Sequence, residues 1–260
     1  MGGSSLYDHP ELYAALLAPE PDLLDDLDLW VAEHLRGRIR SVMDPACGPG
    51  TFLVPYARSG CRVAGNDIRP EMIASARRRL GRTRVELTCG DMRELHFESG
   101  PFDLALNLSS SVGHLRRDAD LERHLASVAE HLRPGGLYFL GLTILDREVE
   151  DDDLWVLFEG DPMRLPEGGM GAVRYESLQR HGRLRRERIR VITLTNGAPE
   201  LPRVIMEEYT LRTFPPEVVR RLLERVAVFD LLAVHDMTHP RRAAVRLEEA
   251  LDATLILRRR

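Results

Sequence analysis

From Ser41 onward, short apolar runs alternate with amphipathic stretches in the order strand, crossover helix, strand. SVMD (41–44), CRVAGND (61–67), VELTC (85–89), FDLALNL (102–108) and GLYFLGL (136–142) are apolar almost throughout, as strands covered on both faces must be. Between them, 51–58 follows a glycine turn, and 70–80 opens with Pro70 and closes at Gly81. The stretch 118–132 repeats apolar residues at helical spacing and stops at Pro134-Gly135-Gly136. A helix over 215–225 and two late strands, 229–235 and 252–257, complete the set. Together these predict an α/β fold with a Rossmann-like, doubly wound, mostly parallel sheet of seven strands.

Two segments fall outside that grammar. Ahead of the sheet, 10–17 and 21–35 predict helices, the second aligning Leu24, Leu27, Trp30, Val31 and Leu35 on one face. They are expected to form a helical cap over the site. After the fifth strand, 169–179, 184–195 and 203–213 read as successive antiparallel strands with Asn196-Gly197 as a turn, forming an inserted β lid. The expected organisation is one domain over 1–260: cap 1–38, core 39–145, lid 146–214, and a closing helix and strands over 215–260.

Charge and cysteine content narrow the setting. The formal net charge is -5 over 260 residues, so no positive field gathers nucleic acid or anionic lipid. Cys47, Cys61 and Cys89 lie far apart without CxxC spacing, which fits reduced thiols in a cytoplasm. No apolar stretch approaches the roughly 20 residues of a membrane span, and a cytosolic protein is expected. Nine histidines form no HxH or HExxH pattern, and Asp151 to Asp153 read as a solvated loop, so no metal is expected.

In an open parallel sheet, ligands bind beyond the carboxyl ends of the strands, and the informative residues stand there. Asp44-Pro45-Ala46-Cys47-Gly48-Pro49-Gly50 follows the first strand as a tight turn into a helix. Asp44 could pair with a ligand ammonium, and the helix start could meet a carboxylate. Asp67 ends the second strand, where a carboxylate can accept both hydroxyls of a ribose; it could equally cap the next helix. Asp91, after the third strand, could take an exocyclic amine or merely close its loop. A dinucleotide GxGxxG would need glycine at 53, where this chain has Leu53.

DPACGPG, GND, CGDM, FDLALNL and LRPGG, in this order, resemble the successive motifs of class I S-adenosylmethionine (SAM)-dependent methyltransferases over residues 40–142. The resemblance implies SAM as cofactor and S-adenosylhomocysteine as product. Gly48 and Gly50 would line the methionine portion, Asp67 would hold the ribose and Asp91 would read adenine. Met72 and Met92 would pack around the purine, although they also read as core filling. Asn107 and Leu108 would border the methyl, and Ala46 and Ile68 complete the expected cofactor contacts.

The loop SSSVGHL (109–115) and the early LYD (6–8) are similar to the aminosugar N-methyltransferases, and related loops occur in the glycine and sarcosine type. This implies His114 and Tyr7 as catalytic candidates, acting as bases or only positioning the acceptor. Tyr13, Ser110, His114 and His235 are expected to contact the substrate, with His239 a further pocket or surface residue. Tyr13 also belongs to an apolar helix face. The expected partner is a small molecule methylated at an amine nitrogen. An oxygen acceptor, a peptide N-terminus and a non-catalytic SAM-binding protein are the alternatives. Nucleic acid is not expected, because NLSS stands where nucleic-acid enzymes carry Asn/Asp-Pro-Pro-Tyr/Phe. The sequence allows a homodimer without specifying one.

Overall fold

The computed structural model describes residues 4–81, 84–238 and 243–260. The chain runs α1 (Pro10–Leu16), α2 (Pro21–His34), β1 (Ser41–Asp44), α3 (Val54–Arg58), β2 (Arg62–Asp67), α4 (Pro70–Leu80), β3 (Val85–Cys89) and β4 (Phe102–Asn107). It continues through α5 (Asp118–His131), β5 (Leu132–Thr143), β6 (Glu150–Asp151), β7 (Trp155–Glu159), β8 (Met163–Arg164), β9 (Met170–His181), β10 (Arg186–Asn196) and β11 (Val204–Arg212). It closes with α6 (Pro216–Val226), β12 (Phe229–Asp236) and β13 (Asp252–Arg259).

The main sheet has seven strands in the order β12-β13-β5-β4-β1-β2-β3, parallel except at β13. The chain steps outward from β1 to β3, then returns to β4 beside β1, so the direction of winding reverses between β1 and β4. That reversal opens the crevice where such sheets bind ligands. Helices α5 and α6 cover one face through Leu121, Leu125, Val128, Val218 and Leu222. Helix α2 covers the other through Leu27, Trp30 and Val31, joined by Tyr56 of α3 and Ile73 of α4. Leu27 is fully buried there, and truncating such a leucine to alanine costs about 2–5 kcal/mol.

The lid is a separate antiparallel sheet with β11-β10-β9 at its centre and the short strands β6, β7 and β8 along β9. Those short strands escape the alternation rule, because Trp155 to Glu159 is exposed at every position. The expected N-terminal cap divides in two. Helix α2 packs on the main sheet, whereas Leu12 and Leu16 of α1 join Leu6, Val173, Ile189, Val191 and Ile205 under the lid. Amphipathic spacing shows that a helix buries one face; it does not say against which sheet.

No described helix is long and apolar enough to cross a membrane. Among the described residues, no three His, Cys, Asp or Glu side chains gather as a metal site. Asp151 pairs with Arg180 and accepts from the Trp155 indole at 2.8 Å, so the triple-aspartate segment is tied to the lid edge.

Candidate active site

Three turns, two leading into helices and one into the loop before β4, meet at the carboxyl edge of β1, β2 and β3, and Asn66 joins them. Its amide donates to the Pro45 carbonyl at 3.1 Å and the Gly90 carbonyl at 2.9 Å, while the Thr88 hydroxyl donates to its oxygen at 2.9 Å. The backbone repeats the tie: Cys47 N–H donates to Asn66 O at 2.8 Å and Gly90 N–H to Asp67 O at 3.0 Å. Gly48 (φ +52°) and Gly50 (φ +81°) take left-handed conformations that turn the loop back over the strand ends, as glycine does without steric cost. The motifs do not single out Asn66, although a polar side chain ending a buried strand signals that it bonds something.

Asp44 and Asp67 give this rim its charge. Asp44 is 4% exposed, and burial, reinforced by the Asp67 charge, pushes its carboxyl up to about 8 against the opposing hydrogen bond from Ala46 N–H. A cation seated on it would restore ionisation. Asp67 is raised by burial and accepts from Gly48 N–H at 2.8 Å and Arg69 N–H at 2.9 Å. A carboxylate offers about four acceptor positions, so two remain for a vicinal diol. Asn107 is 1% exposed at the end of β4, and its Oδ1 is buried without a hydrogen-bond partner among the described residues. A buried carboxyl with no ion-pair partner among the described residues for an ammonium, spare acceptors for a ribose and an orphaned amide oxygen at the crevice fit SAM.

The remaining expected cofactor residues fall around this rim unevenly. Met72 is buried, and Met92 packs against the core with its sulfur 4.0 Å from the Asn107 amide nitrogen. Leu108 is nearly buried, whereas Ile68 projects 71% exposed beside Asp67. Asp91 is already engaged: Arg93 Nε lies 2.9 and 3.0 Å from its two oxygens, and that guanidinium holds its carboxyl below the usual range. His124 fixes this loop from behind. Its Nδ1 donates to the Met92 carbonyl at 2.9 Å, so its Nε2, 2.6 Å away, accepts from the Tyr138 hydroxyl.

Across the crevice, β4 leads into Ser109 and Ser110, both at left-handed φ (+58° and +54°), an arrangement that costs backbone energy and clusters at functional sites. A 3-10 turn over Ser111–His114 follows, pressed so closely on β11 that a Cβ at Gly113 would meet the Arg212 carbonyl at 3.2 Å. His114 is thereby set at the lid, its ring 5.7 Å from that of Tyr209. It opens to the cleft, yet the surrounding protein lowers its pKa, so the imidazole is neutral at pH 7.

Tyr7 and Tyr13 stack at 5.6 Å, with Tyr209 beside Tyr7. Both feel the Asp67 charge, which places them beside the cofactor rim; burial raises the pKa of Tyr7, Tyr13, Tyr175 and Tyr209. Glu207 accepts from Ser5 Oγ at 2.6 Å and Leu6 N–H at 3.0 Å, docking the N-terminal segment on β11. Tyr175, Glu207 and Tyr209 were not singled out from sequence. For Glu207 and Tyr209 the signal was the inward phase of β11, where Ile205, Glu207, Tyr209 and Leu211 are separated by exposed residues.

His235 does not join this cluster. It is 5% exposed and stacks on Trp30 with ring centroids 4.1 Å apart, a packing contact between α2 and the main sheet. Ser110 lies at the crevice, its hydroxyl 3.5 Å from that of Thr143. His239 lies outside the described residues.

Residues 42–136 match the methyltransferase domain family. Over that segment the chain is similar to the family, and its overall fold is that of SAM-dependent methyltransferases. Among solved structures it is similar to a SAM-dependent methyltransferase from Clostridium acetobutylicum (TM-score 0.72, 17% identity, covering 98% of this chain and 99% of that one). It is also similar to a sugar N-methyltransferase from Streptoalloteichus (TM-score 0.71, 22% identity, covering 100% and 94%). Among curated proteins, a dTDP-3-amino-3,4,6-trideoxy-alpha-D-glucopyranose N,N-dimethyltransferase from Streptomyces venezuelae is 36% identical over 110 residues, 41% of this chain and 45% of the relative. A cypemycin N-terminal methyltransferase from Streptomyces is 32% identical over 149 residues, 55% and 58%. The chain spans about half the length of these curated relatives.

Proposed function

We propose that the protein transfers a methyl group from SAM to the nitrogen of a small-molecule amine. What supports this most is that Tyr7 and Tyr13, stacked 5.6 Å apart, lie within electrostatic reach of Asp67, and Tyr13 also of Asp44, while Tyr209 stands beside His114. When bound, SAM supplies an electrophilic methyl on a sulfonium. Asp44 pairs with its ammonium and Asp67 accepts from the ribose hydroxyls. Gly48 and Gly50 bring the backbone close to the methionine portion, and Ile68, Met72 and Met92 flank the purine. Asp91 reaches the adenine amine only by sharing an oxygen with Arg93. Asn107 and Leu108 border the methyl.

Methyl transfer is an in-line displacement: the amine lone pair forms the new N–C bond while the S–C pair stays on sulfur. The surplus proton on nitrogen passes to the His114 imidazole, which is neutral and able to accept it. Tyr7 has a raised pKa, so it remains protonated and orients the acceptor as a hydrogen-bond donor or aromatic face. The two curated relatives are N-methyltransferases by name, one of a dTDP-amino sugar and one at the N-terminus of cypemycin.

Release of S-adenosylhomocysteine with matched amine and alcohol panels tests the reading. Turnover with amines alone is expected. Turnover with alcohols alone would move the acceptor to oxygen, and tight SAM binding without turnover on any acceptor would favour a SAM-binding protein.

A further inference from the structure

A cleft of about 920 Å³ opens beside His114 and Tyr209, between the start of α5 and strands β10 and β11. Arg116, Arg185, Arg186 and Arg212 line it, and Asp118 is the one acidic lining residue among the described residues. Arg185 and Arg212 both bond Asp118, and Arg221 approaches it at 3.4 Å, so a single carboxylate is shared by three guanidiniums. It cannot satisfy them. Arg212 is 8% exposed, lies 5.0 Å over the Phe214 ring, and keeps Nη1 buried without a hydrogen-bond partner among the described residues. Arg185 Nε is likewise buried and unpartnered there. Burial, followed by the charges of Arg221 and Arg147, lowers the Arg185 pKa. Arg116 and Arg186 are exposed, and no ion pair engages either among the described residues. Such a surplus, in a chain whose net charge is -5, calls for an anion.

We propose that this cleft is an oxyanion subsite that receives a phosphate or carboxylate group of the methyl acceptor while its amine lies at His114. Guanidinium groups present paired N–H donors that match such oxyanions, and partial burial strengthens each bond. Gly113 lets the turn carrying His114 lie directly against the strand carrying Arg212, so the anion and the amine would be held about one side chain apart. Assigning the anion to the acceptor rests on the methyl-transfer reading; the anion site itself does not.

The test is calorimetric titration of the full chain with inorganic pyrophosphate and with succinate at fixed ionic strength. The Arg116→Ala/Arg186→Ala double variant is run alongside, since both residues are exposed and can be removed without disturbing the core. The subsite predicts saturable binding of at least one probe, weakened about tenfold or more in the variant, with SAM affinity unchanged. Tighter pyrophosphate would identify a phosphate source, and tighter succinate a carboxylate. No saturation by about 10 mM of either probe, or equal affinity in the variant, overturns the proposal. If SAM binds and the probes do not, only the subsite fails. If the probes bind through these arginines and SAM does not, the subsite stands and the methyl-transfer reading falls.

Discussion

The cofactor rim and the lid-side cluster face each other across one crevice, yet the chain builds them by different means. The rim uses the turns that leave three consecutive strands, each placed by the strand before it and joined by Asn66. The lid side gathers Tyr7, Tyr13, His114, Tyr175, Glu207 and Tyr209 from four separate stretches, and its Ser5 to Glu207 bond spans 202 residues. The rim is thus set by local geometry common to every doubly wound sheet, whereas the lid side depends on how a second sheet docks. Cofactor chemistry belongs to the first region and acceptor choice to the second, so substitutions should separate them.

The largest separation is expected at Asp67. Asp67→Ala removes two backbone anchors and both expected ribose bonds, and each hydrogen bond to a charged group is worth about 1.5–3 kcal/mol. SAM affinity measured by calorimetry should fall about a hundredfold or more. His114→Ala should act the opposite way, lowering turnover about 10²–10⁴-fold with little change in SAM affinity. Equal loss of both would move His114 into the cofactor shell.

Asp44 links the rim to pH. Its folded carboxyl, pushed up to about 8, favours the neutral form, so binding a cation there requires proton release below that value. SAM affinity should strengthen between pH 6 and 7, and calorimetry in buffers of different ionisation heat should register a released proton. For the free protein, this group stabilises the fold fully below its ordinary 3.8 and loses that contribution as pH rises through about 8. Asp44→Asn should therefore flatten the pH dependence of Tm while weakening SAM. The smallest effect is expected at Glu207. Glu207→Ala frees Ser5 and Leu6 from β11, raising the KM for the acceptor and costing about 1–3 kcal/mol of stability. An unchanged KM would remove the N-terminal segment from acceptor binding.

The same contrast explains what could be read in advance. Apolar runs and the helices and turns between them prescribe the parallel sheet, and Asp44, Asp67 and Asp91 can be located because each stands at or just after the end of a strand. Their pairing cannot, and Asp91 proves to be held by Arg93, two positions away. The helical spacing of Leu12 and Leu16 marks a buried face, but docking under the lid depends on Val173, Ile189 and Ile205, far along the chain. His235 sits in a strand ending at the correct edge, and only three-dimensional packing against Trp30 separates it from the crevice.

The central claim is that the turns after β1, β2 and β3 act together in holding the adenosyl cofactor. Amide hydrogen exchange with and without S-adenosylhomocysteine tests it most directly. The account predicts concerted slowing at 44–50, 66–69, 89–93 and 107–110, with 150–164 unchanged. Protection confined to the lid, or none at saturating ligand, would contradict it.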